Sequence, residues 1–541
     1  MPRFAAIDVG SNAIRLRIIE AREPGREGDS QLELLPPGSG HPRGWVEVAN
    51  VRSAVRLGGE VFVSGRLTPA AIGQACEALR SFRAQMDEAN VDVYRATATS
   101  AVREAQNSAT LVERARREAG IELEIIEGIE EARLIQLAVV RRLGLRDKRA
   151  LLVDVGGGST ELTLLEQGKA TFSMSLPLGT VRLLETFLKG VRTLDGDHER
   201  LLEEGIERAL GEAVPQLRDR RFDLLIGTGG NVDTLAELCP LKGGFLGYPR
   251  AIDAVAMTSF FQRIRRMTNA ERGEVFNLRP DRADTIVPAT AIFRLAAARF
   301  GVPAVVAPGV GLKEGILEEL VDKFFRVWDV AGETESVLAA CLRLGRRYSF
   351  DEAHGERVMR FAGQLFDDLR AVHQFGERDR LLLLAAAVLH DIGDFVRYDG
   401  HHKHSYYLIQ HSDIMGLTPD ERAVVANLAR YHRKSLPDPN HPNFRELDRE
   451  ARGKVRGLAA ILRIADALDR EHRGKVESVR AVIERGGVRD GGALRLHLTG
   501  DDERELEEWT VHAKAELLRD VYDLHVVVDG ASALHPEADV P

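Results

Sequence analysis

The stretch Arg149-Ala150-Leu151-Leu152-Val153-Asp154-Val155-Gly156-Gly157-Gly158-Ser159-Thr160-Glu161-Leu162-Thr163-Leu164-Leu165 decides the fold. Leu151 to Val153 is an apolar run of strand length, Asp154 closes it, and three glycines turn the chain into a second strand from Leu162 to Leu165. Glycine at such a corner lets backbone N–H groups approach an anion that a side chain would hold away. Ser159, Thr160 and Glu161 place two hydroxyls and a carboxylate beside the turn. Three glycines alone support no more than a β-hairpin with a tight corner. A second copy of the pattern adds weight: Phe4-Ala5-Ala6-Ile7 runs into Asp8-Val9-Gly10-Ser11-Asn12 and out through Ile14-Arg15-Leu16-Arg17-Ile18.

Two hairpins of the form strand, Asp, apolar, Gly, small polar, strand predict a duplicated α/β domain with one phosphate loop per half. The arrangement resembles the actin, Hsp70 and sugar-kinase (ASKHA) superfold of two ribonuclease H-like halves. That resemblance implies an anionic ligand between the halves, but a fold does not by itself assign a function.

A chain of 541 residues, 44% hydrophobic and 29% charged, exceeds one core and predicts an ordered, multidomain protein. The expected division is an actin-like half at 1–128, a second at 129–322, a helical domain at 323–476, and a small α+β domain with a tail at 477–541. The longest obviously apolar run, Leu381 to Leu389, is less than half of the ~20 residues that a bilayer span needs. Met1-Pro2-Arg3-Phe4 leads straight into a strand without a charged and then apolar leader, so the expected location is the cytoplasm. Cys76, Cys239 and Cys341 match neither a disulfide framework nor a cysteine zinc site and read as buried small hydrophobes. The net charge of −9 argues against a nucleic-acid or lipid-surface partner. It leaves room for an anionic substrate in a locally basic groove.

Along the chain, Glu23 to Gly44 is Pro- and Gly-rich and reads as a loop. Leu67 to Ala89, with Thr68-Pro69 at its start and Ile72, Cys76, Leu79 and Phe82 at helical spacing, reads as a helix. Val91 to Ala96 is a strand that runs into the hydroxyl-rich Thr97 to Ala105, where a helix opens. Free N–H groups there, with Thr99, Ser100 and Arg103, would suit an anion, and ordinary N-capping by Thr99 or Ser100 is the plain alternative. After a strand at 121–127, a helix begins at Gly128 with Glu130 and Glu131 in its first turn. Either complements the helix dipole, and one could face the cleft.

Asp-Val-Gly-Ser-Asn at 8–12, Ala-Thr-Ser-Ala-Val-Arg at 98–103, Gly-Ile-Glu-Glu-Ala-Arg-Leu at 128–134 and Asp-Val-Gly-Gly-Gly-Ser-Thr-Glu at 154–161 resemble the exopolyphosphatase and guanosine pentaphosphate phosphohydrolase family. Weaker matches are Gly-Thr-Gly-Gly at 227–230, Arg-Ala-Asp at 282–284 and Gly-Leu-Lys-Glu-Gly-Ile-Leu at 311–317. The resemblance, over residues 4 to about 320, implies that Glu131 rather than Glu130 activates a water. Asp154, Glu161 and Asp8 would serve a magnesium ion. Ser11, Asn12, Thr99, Arg103, Gly156, Gly157, Gly158, Ser159 and Thr160 would hold phosphates, joined by Gly227, Gly229 and Gly230. Ala13 stands where the family often has a hydroxyl, and Asn231 where it often has threonine.

From about residue 325 the texture becomes helical. His354 shares a face with Val358, Phe361 and Leu365, His390-Asp391 ends the Leu381 run, and Asp466 shares a face with Leu458, Leu462 and Ala465. A buried carboxylate of this kind needs a partner. A lone histidine on an apolar face is ordinarily a satisfied core residue. The four together resemble the HD superfamily of metal-dependent phosphohydrolases, which implies one divalent ion (Mn, Fe, Ni or Zn) at His354, His390, Asp391 and Asp466. His404 and His432 are candidate extra ligands. Asp394 stands where many HD enzymes have lysine, which favours metal binding over independent catalysis. Val479 to Ile483, Ala493 to Leu498, Glu503 to Leu518 and Tyr522 to Val528 read strand, strand, helix, strand, and the tail from Ser532 as disordered.

The expected activity is hydrolysis of the terminal phosphate of inorganic polyphosphate, with pppGpp 5′-phosphohydrolysis as the runner-up. Arg430 to Lys434, His401 to His404 and Arg470 to Lys475 could line a passage for the polyanion. A homodimer is expected from the resemblance. From other classes, an HD-domain nucleotide phosphohydrolase and a phosphate-sensing regulator or kinase are carried as alternatives.

Overall fold

The first hairpin of the computed structural model is β1 (Arg3–Val9) and β2 (Ile14–Glu20), continued by β3 (Val46–Ser53) as an antiparallel meander. The structure describes residues 1–22, 45–145, 147–217, 222–325, 330–484, 492–501 and 503–529. On the far side of β1, β4 (Val93–Ala98) and β5 (Leu123–Ile125) add in parallel, giving the order β3-β2-β1-β4-β5. The second hairpin is β6 (Arg149–Val155) and β7 (Thr160–Glu166), followed by β8 (Lys169–Leu176), β9 (Leu224–Gly229), β10 (Ala251–Asp253) and β11 (Ala304–Val306). Their order is β10-β11-β9-β6-β7-β8, so apart from the edge strand β10 the second sheet repeats the first position by position. The duplicated α/β architecture expected from the two hairpins is present.

The local causes are plain. β1 reads as a continuous apolar run because both its faces are covered, and Phe4 to Ile7 and Val9 are all buried. β2 alternates, with Ile14, Leu16 and Ile18 inward and Arg15 and Arg17 on the opposite face. The Pro69–Glu88 helix starts where Thr68 accepts a hydrogen bond from the Ala71 N–H at 3.2 Å and buries Ile72, Cys76, Leu79 and Phe82. Truncating Ile72, Leu79 or Phe82 to alanine would cost about 2–5 kcal/mol. All three cysteines are free and buried, as their isolation in the sequence suggested.

The Gly128–Leu143 helix links the two sheets, and the Leu312–Phe325 helix packs against both it and β1. The crossing is close: a Cβ on Gly315 would lie 2.0 Å from the Leu134 carbonyl oxygen, so only glycine fits there. Ion pairs reinforce it, with Arg133 on Glu319 at 2.6 Å and Arg141 on Glu318 at 2.7 Å. Burial works against the Glu319 carboxyl, but Arg133, Lys323 and Arg95 together hold it down at about 2.

Residues 1–328 form one compact unit and 329–541 another. The second unit is helical up to Ala467 and then carries β12 (Val476–Glu484), β13 (Gly492–Gly500) and β14 (Leu524–Val528) in the order β12-β13-β14. The single helix expected from Glu503 to Leu518 is two, Glu505–Lys514 and Glu516–Tyr522, so the last strand starts later than expected. Glu23 to Gly44, Asp502 and the tail from Ser532 lie outside the described residues. Among the described residues, no helix is long and apolar enough to cross a membrane.

Candidate functional site

The two glycine corners meet. Gly10 donates its N–H to the Ala13 carbonyl at 3.1 Å, and Gly156 repeats the bond to Ser159 at 3.0 Å, so Ser11, Asn12 and Ala13 correspond to Gly157, Gly158 and Ser159. A Cβ on Gly157 would come 2.8 Å from the Ser11 Cβ, which makes glycine obligatory where the loops touch. Ser11 Oγ is 2.9 Å from Ser100 Oγ, tying the first corner to the hydroxyl loop after β4. Around this contact lies a cavity of about 410 Å³ whose wall includes Asp8, Ser11, Asn12, Thr99, Glu131 and Asp154. Gly156, Gly157, Ser159, Gly229 and Gly230 also line it.

Glu131 and Glu130 are separated by their partners. Glu130 pairs with Arg133 at 2.7 Å and Arg95 at 3.3 Å, inside the network that ties the two crossing helices together. The next residue, about 100° round the helix, turns into the cavity. Glu131, Asp154 and Glu161 are all buried, and one carboxylate oxygen of each lies within 4.8 Å of the others. Arg103 approaches Glu131 at 3.8 Å but donates its main hydrogen bond to the Ile126 carbonyl at 2.6 Å. One oxygen of Glu131 and one of Glu161 accept no hydrogen bond, although Ser175 donates to the other Glu161 oxygen at 2.8 Å.

Electrostatics follow from this crowding. Burial and then the charge of Glu161 hold the Glu131 carboxyl well above the usual range, Arg103 offsetting only part. Burial pushes Asp154 up to about 6, opposed by the hydroxyl of Thr228 and raised further by Asp8. Glu161 is pushed up to about 7 by burial and by Asp154. Three buried carboxylates, two of them with an orphaned oxygen, are a donor set that would fit a hard divalent cation such as magnesium. Asp8, expected with them, is instead held by Arg15 at 3.0 Å. The pairing of strands explains why: Asp8 faces Arg15 across its hairpin, whereas Asp154 faces Glu161.

Several expected phosphate ligands have other occupations. Asn12 accepts from Arg56 at 2.8 Å and donates to the Asp281 carbonyl at 3.4 Å, which ties the first corner to residues 281–284. Gly158 is packed under Phe62 and Ser100, Gly227 lies against Val305 and Phe293, and the Thr160 hydroxyl donates to the Leu178 carbonyl. None of these three lines the cavity, and neither do Arg103 and Glu161, which stand behind its wall. The sequence reading assigned no role to Arg15, Arg282 and Lys313, which do line it. Arg282 reaches the Asn231 amide oxygen and the Thr234 hydroxyl at 3.5 Å and makes no ion pair among the described residues. Its signal was the Arg-Ala-Asp match. Burial, with Arg15 and Arg279 nearby, lowers its pKa to about 10, so it remains charged.

In the second unit, His354, His390, Asp391 and Asp466 converge as expected. The two Nε2 atoms are 3.1 Å apart, and both carboxylates lie 3.6 Å from His390 Nε2 and 3.8 Å from His354 Nε2. His432 stands beside them, and the second neighbour is His401 rather than His404. His401, His402 and His432 are buried, so they do not line an open passage. Lys514, 48 residues beyond Asp466, pairs with it.

The model of the Ppx/GppA phosphatase family matches residues 40–324, and that of Ppx/GppA phosphatase domain III matches 338–519. A guanosine-5'-triphosphate,3'-diphosphate pyrophosphatase of Vibrio campbellii is 27% identical over 440 residues, 80% of this chain and 81% of the relative. The protein of the same name from Photobacterium profundum is 26% identical over 439 residues, again 80% and 81%. The crystal structure of an exopolyphosphatase from Cytophaga hutchinsonii matches with a TM-score of 0.52 and 26% identity, covering 59% of this chain and 98% of that one. With a family model spanning more than half of its length, the chain belongs to the Ppx/GppA phosphatase family, whose members are phosphoanhydride hydrolases.

Proposed function

We propose that the cleft of the first unit hydrolyses the terminal phosphoanhydride of inorganic polyphosphate and releases orthophosphate. The observation that carries this reading is the placement of the Glu131 carboxylate, buried and short of a hydrogen bond, beside Asp154, Glu161 and two touching glycine corners. Backbone N–H groups at the corners, the hydroxyls of Ser11, Thr99 and Ser159, and the guanidinium of Arg282 grip the terminal phosphates. Glu131 takes a proton from a water as the water oxygen bonds to the terminal phosphorus. The bond from that phosphorus to the bridging oxygen breaks, and the bridging oxygen leaves with the shortened chain. A raised carboxyl pKa suits that base, because it brings proton affinity toward neutral pH. A magnesium ion held by Asp154 and Glu161 would neutralise charge on the phosphates and polarise the water. Arg103 sets the orientation of Glu131.

The second reading is the same reaction on the 5′-triphosphate of pppGpp, favoured by the two pyrophosphatase relatives aligned over 80% of the chain. Purified protein and its Glu131→Ala variant, incubated with magnesium and either polyphosphate or pppGpp, decide both points. Released phosphate identifies the better substrate, and equal rates from variant and parent would remove Glu131 from the role of base.

In this reading the helical part of the second unit is an HD-like domain holding one divalent transition ion at His354, His390, Asp391 and Asp466. Imidazole and carboxylate together suit Mn, Fe, Ni or Zn. The four-part division of the chain and a cytoplasmic homodimer complete it.

A further inference from the structure

Behind the two glycine corners the same device occurs twice. In the second half, the carbonyls of the corner are held from one side by the start of the Thr180–Phe187 helix. The N–H of Thr180 donates to Gly156 at 3.0 Å, and the N–H groups of Val181 and Arg182 donate to Gly157 at 2.8 and 3.0 Å. The third carbonyl, that of Gly158, is held by a side chain instead, Arg182 Nε at 2.7 Å. Peptide units are planar and trans, so the N–H after each carbonyl points the opposite way, and those of Gly157, Gly158 and Ser159 are turned away from the helix. The backbone donors to Gly156 and Gly157 survive any substitution. The orientation of the peptide between Gly158 and Ser159 depends on which residue stands at 182.

The guanidinium of Arg182 then crosses to the first half, where Nη2 pairs with Glu104 and the group lies 4.2 Å over the ring of Phe62. Arg56 repeats the pattern with the halves exchanged. The N–H of Gly58 donates to the Ser11 carbonyl at 2.8 Å, and Arg56 Nε donates to Asn12 Oδ1 at 2.8 Å. The two Nη atoms of Arg56 fork onto the carboxylate of Asp284 at 2.7 and 3.0 Å. Asn12 takes in the first corner the place that Gly158 has in the second. Each arginine therefore holds its own corner with Nε and a carboxylate of the other half with Nη. Among the described residues, none of Arg56, Arg182, Glu104 and Asp284 lines the cavity, so they reach a ligand there only through the corners.

We propose that Arg56 and Arg182 are a matched pair of positioning residues that set the phosphate-gripping geometry of the two corners only while the halves are in contact. The proposal rests on the reading of the corners as phosphate sites and adds what aligns them. The planar fork of arginine donates to a corner through Nε and to a carboxylate through Nη at once, whereas lysine keeps the charge and loses the coupling.

The test follows phosphate release by the full chain with magnesium and either polyphosphate or pppGpp, together with calorimetric binding of orthophosphate in magnesium and the melting temperature of each variant. Arg182→Lys and Arg56→Lys are each expected to raise KM and the dissociation constant of orthophosphate about tenfold, while kcat falls less. Glu104→Gln and Asp284→Asn leave both arginines in place and should raise the same constants several-fold. Arg182→Lys combined with Glu104→Gln should do no more than Arg182→Lys alone, because the two act as one unit. If KM and orthophosphate affinity match the parent in all four single variants, whatever happens to the melting temperature, the arginines merely stabilise the fold and the proposal is overturned. A parent that neither turns over substrate nor binds orthophosphate would overturn the reading of the corners as well.

Discussion

The two hairpins are copies in backbone and opposites in charge. Across the first, Asp8 meets Arg15, and the pair is closed at 3.0 Å. Across the second, Asp154 meets Glu161, and the nearest helix adds Glu131 rather than a cation. Duplication therefore supplied two equivalent glycine corners, and one residue per hairpin set them apart. The first half pairs its hairpin carboxylate with a guanidinium. The second half stores unsatisfied negative charge, which a divalent ion and a proton from water can answer.

The largest expected effect breaks the acidic side. Glu131→Gln keeps size and hydrogen-bonding capacity but removes the base, and phosphate release should fall about 10³-fold. The neighbouring Glu130→Gln, whose partners are Arg95 and Arg133, should leave turnover within a few-fold of the parent and lower the melting temperature instead. If the two variants lost activity equally, the distinction between these adjacent carboxylates would be void. Asp154→Asn should cost about 10²-fold at low magnesium and be partly rescued as magnesium rises, which a titration of rate against ion concentration reads directly.

Smaller effects sharpen the contrast. Arg15→Gln would leave Asp8 unpaired and make the first half resemble the second; a stability loss of about 1 kcal/mol is expected, since the guanidinium is partly exposed. A melting temperature unchanged by that substitution would mean that Asp8 needs no neutralising partner. The smallest effect is on pH. Asp154 and Glu161 titrate at about 6 and 7 in the fold, above their unfolded values, so their neutral forms are favoured there. The corresponding stability is fully present below about pH 4 and is lost as pH rises to about 7. Chelated protein should therefore melt lower at pH 7.5 than at pH 5, and magnesium should restore it at the higher pH. A flat profile without the ion would show that the carboxylates are relieved by something else.

Much of this was legible in the residues. The apolar run of β1, the Asp-Val-Gly corners and the Thr68-Pro69 helix start depend on local rules, and the chain obeys them. What escaped depends on which residues face each other across strands and helices. Arg15 alternates with apolar residues and looks like an ordinary solvent-facing position, yet the pleat puts it opposite Asp8. Asn12 looked free for phosphate, but Arg56, 44 positions away, engages it. Glu130 and Glu131 could not be told apart until their partners were seen. Among His401, His402 and His404, the one that meets Asp391 is decided by where the helix begins, and Gly400 in a left-handed conformation starts it at His401. Asp394 stands where the resemblance led one to look for lysine, and the lysine that pairs with Asp466 is Lys514, from another element altogether.

The crossing of the Leu312–Phe325 helix over the Gly128–Leu143 helix has a consequence for synthesis. The Arg133–Glu319 bond joins positions 186 apart, and β1, about 300 residues before it, is covered by one of the last elements of its unit. During translation, the segment bearing Glu131 emerges long before the helix that steadies it. A chain stopped short of residue 312 would own both glycine corners and Glu131, Asp154 and Glu161 yet lack their brace and the cleft-lining Glu314, so the cleft is completed only with the final turns of the unit.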